Sequence, residues 1–134
     1  MKRLVCLAST FATLALLAGA RTQDSATIKE VMDKLHKGVT APLAKLKTAL
    51  KAASPDWTTV QDLTKEFVKF GALLEKNDPP RGEKADFEKL AKAYYKNAKA
   101  LDDAAKAESK QKAQAALKKI TDSCKTCHAA HKGA

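Results

Sequence analysis

The chain has 134 residues, 45 % of them hydrophobic and only 5 % aromatic, with 25 Lys+Arg against 15 Asp+Glu for a formal charge of +10. That length supports one domain and excludes a multidomain enzyme. Five Gly and four Pro exclude collagen-like and low-complexity classes, and three cysteines cannot supply a disulfide framework. The abundance of Ala, Lys and Leu favours helix over strand.

Residues 1–20 read as a secretory signal peptide. Lys2 and Arg3 form the basic start, Leu4 to Leu17 is an uncharged apolar run, and Ala18-Gly19-Ala20 is a small-residue cleavage site. The run is shorter than the ~20 residues that span a bilayer, so stable membrane insertion is not expected after cleavage. Cys6 leaves with the signal. Losing Lys2 and Arg3, and no acidic residue, lowers the charge from +10 to +8 for residues 21–134. An exported protein rarely meets nucleic acid, so none is expected as a partner. The charge fits either a solvated face or docking to an acidic protein.

Four amphipathic segments follow. The first runs from about Thr27 to Ala53, with Ile28, Val31, Met32, Leu35, Val39, Leu43, Leu46 and Leu50 at helical spacing. Gly38 and Pro42 predict a kink or short break in it. The second begins at Ser54-Pro55-Asp56-Trp57, with Ser54 as N-cap and Pro55 at the first helical position, and ends near Lys76. Trp57, Val60, Leu63, Phe67, Phe70 and Leu74 form its apolar face. Asn77 to Gly82 is the clearest loop. The third segment spans about Lys84 to Ala107 on a stripe of Phe87, Leu90, Tyr94, Ala98, Leu101 and Ala105. Within it Asp102-Asp103 reads as a solvated face. The fourth spans about Ser109 to His131, with Ala113, Ala116, Leu117, Ile120, Cys124 and Cys127 on one side. Nothing alternates at period two. The fold class is therefore all-α, an antiparallel four-helix bundle.

One motif carries chemistry. Cys124-Lys125-Thr126-Cys127-His128 has the Cys-x-x-Cys-His pattern of a c-type haem attachment site. Residues at i, i+3 and i+4 share a helix face. Two thiols so placed can add to the two vinyl groups of one porphyrin, with His128 beneath the iron as proximal ligand. One covalent haem c is the expected cofactor. A redox dithiol usually opens a helix in an α/β fold, whereas this pair closes the last helix of an all-α chain. A zinc site built from Cys124, Cys127 and His131 lacks a second ligand pair. A Cys124–Cys127 disulfide would be a strained small loop and leaves His128 unexplained.

The position of the motif, at the C-terminal end of an exported helical chain, resembles the class II cytochromes c, the cytochrome c′ family. The resemblance implies a haem-bearing four-helix bundle in the periplasm and no enzymatic turnover. In that family a basic residue commonly sits four positions after the haem histidine, as Lys132 does here; the aromatic expected just before it is His131, a departure. The family lines its distal haem face with the first helix. Low-spin members carry a Met there and transfer electrons, while high-spin members keep the face open and bind NO or CO. Met32, the only Met outside the leader, matches the low-spin pattern. The expected ligands are thus His128 and Met32, with redox proteins as partners, and a homodimer is suggested by the family alone. His36, four residues after Met32, is the rival ligand or a surface residue between Lys34 and Lys37. Arg81, Lys29 and Lys132 are candidates to pair with the haem propionates. His131 is expected at a frayed terminus.

Overall fold

The computed structural model describes residues 25–133; the leader assigned to residues 1–20, Cys6 included, lies outside the described residues. Five helices follow in order: α1 Ile28–His36, α2 Pro42–Ala49, α3 Trp57–Leu74, α4 Lys84–Lys106 and α5 Lys110–His131. Among the described residues there is no strand.

The first amphipathic segment is two helices. Thr27 and Glu30 close a reciprocal capping box at the start of α1. Gly38 then takes φ +92°, in the left-handed region that glycine enters without steric cost. Pro42 opens α2 at its first turn, where a missing N–H costs nothing. The cap of α3 differs from the expectation. Asp56, not Ser54, is the N-cap, its carboxylate accepting from the backbone N–H of Thr58 at 3.1 Å and of Thr59 at 3.3 Å. A carboxylate also suits the positive end of the helix dipole, so Pro55 falls outside α3. The third and fourth segments appear as α4 and α5, with Ser109 as the N-cap of α5.

The helices α3, α4 and α5 form the body of the bundle, with α4 packed on both others. Cross-contacts run antiparallel along the α3–α4 seam. Gln61 donates to Ala105 O at 3.2 Å, Thr64 reaches Asp102, and Gly71 faces Tyr94. The short pair α1 and α2 packs on α3. No comparable interface joins α1 to α5, and this open seam makes room for the site. Phe67, Leu35, Leu46, Leu50, Leu101, Ile120, Val31 and Val60 are fully buried. Each such side chain contributes roughly 1.5–3 kcal/mol of transfer free energy.

Asp102 is not a solvated residue. It is 6 % exposed, accepts from Thr64 Oγ1 at 2.7 Å and pairs with Lys106 at 2.5 Å, while Asp103 beside it stays exposed. The two aspartates lie on different faces of α4, and only one meets α3. None of the described helices is long and apolar enough to cross a membrane.

Candidate functional site

Between α1, the first half of α4 and the last turns of α5 lies a cavity of about 750 Å³. Ile28, Leu43, Leu74, Phe87, Leu90 and Ala91 give it apolar walls. Sites for organic cofactors typically fall in the range of about 300–1,000 Å³, with mostly apolar linings.

The motif residues and the first-helix methionine line this one cavity. Cys124, Cys127 and His128 come from α5, and Met32 comes from α1. Cys127 and Met32 are both partly buried and pack against the main core. Cys124 Sγ lies 3.5 Å from Ile120 O, one turn back along its own helix. His128 is exposed at the cavity rim.

Both cysteines are free thiols. Burial raises each of them above its ordinary range, with the neighbouring Cys124 adding to the effect on Cys127. A dithiol redox centre needs the opposite, an electropositive setting that lowers one thiol. No three His, Cys, Asp or Glu side chains gather as a metal site among the described residues. His131, which a zinc site would need, is committed elsewhere.

His36 is not a surface residue: it lines the same cavity as Met32. It is half-buried, and its Nε2 shares a hydrogen bond of 2.8 Å with Tyr94 Oη. Phe67 stands edge-on to its ring, with centroids 5.7 Å apart. Its Nδ1 is buried without a protein partner. Burial, then the nearby His128 and Lys47, pulls its pKa down to about 4. The ring is therefore neutral near pH 7. Burial, then Cys124, pushes the Tyr94 phenol up, so its proton stays on. Gly71 permits this packing, since a Cβ there would lie 3.2 Å from the Tyr94 ring. Sequence spacing could not show that bond, because its partners are 58 residues apart.

The other expectations divide. Lys29 and Lys132 line the cavity, although Lys29 is paired with Asp33 one turn along α1. Arg81 is absent from the lining and instead donates to the last carbonyls of α5. His131 is not frayed. It is 4 % exposed, bonded to Arg81 O at 2.9 Å and edge-on to Phe87 at 5.5 Å.

The residues present fit a c-type haem. Two thiols and an imidazole on α5 and a thioether on α1 border one apolar cavity, whose wall includes two histidines each with a buried unpartnered nitrogen, His36 Nδ1 and His131 Nε2. Residues 82–132 match the family model described as Cytochrome C′. No curated protein and no solved structure matches the chain.

Proposed function

We propose that the chain is a class II cytochrome c of the cytochrome c′ family, a periplasmic single-haem electron carrier with His128 and Met32 as axial ligands. Membership implies a covalently bound haem c, and the chain is a c-type haem cytochrome. When bound, that group supplies a one-electron ferrous–ferric couple.

The observation that carries the finer reading is the shared cavity of Met32, Cys124, Cys127 and His128. Cys124 and Cys127 would hold the group through thioether bonds to its two vinyl substituents, an addition that needs no oxidant or reductant. His128 offers an imidazole from the rim on α5. Met32 offers a soft thioether from α1, and a His/Met pair favours a raised potential. His36 supports Met32 as ligand, since its Nε2 is taken by Tyr94 and its Nδ1 is occluded. The apolar walls exclude water and keep the charge change in a low-dielectric setting. The chain's work is to hold and tune the centre; it turns over no substrate. Redox proteins are its partners, and with lysines spread along every helix an acidic partner suits its charge.

The visible spectrum of protein matured in a host that attaches haem c tests this. Reduction by dithionite should give sharp, split bands that CO leaves nearly unchanged. A broad reduced spectrum that shifts under CO would contradict Met32 ligation and indicate a gas-binding protein with an open distal face.

A further inference from the structure

The last turn of α5 and the loop before α4 hold each other from both sides. The Arg81 guanidinium donates through Nε to Ala130 O at 3.3 Å and through Nη2 to Ala129 O. These carbonyls lie in the final turn, where helical partners run out. In return the His131 ring donates to Arg81 O at 2.9 Å. A carbonyl can only accept, so this ring carries its proton on Nδ1. Gly82 closes the joint. Its φ is +79°, and a Cβ there would stand 2.7 Å from His131 Nδ1 and 2.9 Å from Ala130 O. Any larger residue at position 82 would force the two segments apart.

Arg81 does not line the cavity, whereas His131 does, with its Nδ1 turned to Arg81. The clasp grips the three residues that follow His128. Ala129 follows His128 directly, and the His128 carbonyl accepts from Lys132 N at 3.1 Å. Helix ends fray unless they are tied down. His128 sits in that last turn and is itself exposed. Its backbone therefore depends on outside contacts to keep one orientation.

We propose that Arg81 and His131 are positioning residues for His128, fixing the plane in which its imidazole meets the iron. This rests on the reading of His128 as the proximal ligand. A cation at a helix C-terminus adds favourable dipole interaction, but the positioning role needs the paired hydrogen bonds as well.

The test uses the ferric holoprotein. The spread of its hyperfine-shifted haem methyl proton resonances follows the orientation of the axial imidazole, and amide hydrogen exchange at residues 129–132 follows fraying. Arg81 is exposed, so Arg81→Ala leaves the core intact. Arg81→Ala and His131→Phe should each alter the methyl spread and speed exchange about tenfold. Arg81→Lys and His131→Asn, which keep a donor, should move both readouts back towards wild type. Faster exchange with an unchanged methyl pattern would overturn the proposal and leave only a structural tie, and no change in either would overturn it too. A wild-type spectrum indifferent to His128→Ala would overturn the ligand reading and the proposal with it, even where Arg81→Ala still speeds exchange.

Discussion

The two ends of the bundle are built on different terms. At one end the start of α3, the end of α4 and the start of α5 close around small and apolar side chains: Val60, Ala98, Leu101, Ala105, Ala113 and Leu117 are all nearly or wholly buried. Its buried polar groups are answered from within the protein. Thr64 meets Asp102, Asp102 meets Lys106, and Gln114 donates to Leu50 O at 2.7 Å. At the other end α1, the start of α4 and the end of α5 leave an apolar cavity of about 750 Å³. The polar atoms there are left with work to do: two free thiols, an exposed imidazole and two buried nitrogens without partners. Stability concentrates where packing is complete, and the capacity for chemistry where it is not. A bundle this short of aromatics can leave one end open only because the other closes tightly, and a large cofactor filling the cavity would supply the missing core.

Substitutions at the closed end should cost stability and leave the spectrum alone. Leu101→Ala, at a fully buried position, should destabilise by about 2–5 kcal/mol in thermal unfolding, with wild-type absorption bands. A spectral change would mean that the two ends are coupled. Thr64→Val removes the hydroxyl donor to Asp102 while keeping the side chain's size. It leaves a buried carboxylate short of a partner and should cost about 1–3 kcal/mol, read as a lower denaturant midpoint at unchanged slope.

The open end should answer to pH. His36 has a pKa of about 4 when folded and 6.5 ordinarily. On acidification the unfolded chain therefore takes up this proton first, and stability is lost as pH falls from about 6.5 towards 4. The slope from this one group is at most about 1.4 kcal/mol per pH unit. His36→Gln should flatten that part of the profile, and an equally steep profile in the variant would place the titrating group elsewhere.

How far the sequence spoke depended on the reach of each interaction. The helical stripes and the Gly38–Pro42 break were legible because their causes lie within one or two turns. So was the Cys124–Cys127–His128 group, whose spacing is local to one helix. Two adjacent cap candidates, Ser54 and Asp56, were not separable until the carboxylate's backbone bonds were seen. The roles of Asp102, His36, Arg81 and His131 were misjudged or left open for one shared reason. Their partners lie 38, 58, 49 and 50 residues away, and only the packed bundle brings them together.

In the proposed centre α1 and α5 each give one axial ligand across the open seam. Proton NMR of the reduced holoprotein tests it most directly, because a methionine methyl held over a haem face is carried far upfield by the ring current. One such methyl resonance is expected, lost in Met32→Ala together with the resistance to CO. A Met32 methyl at an ordinary position, with an iron that binds CO in the wild type, would contradict it.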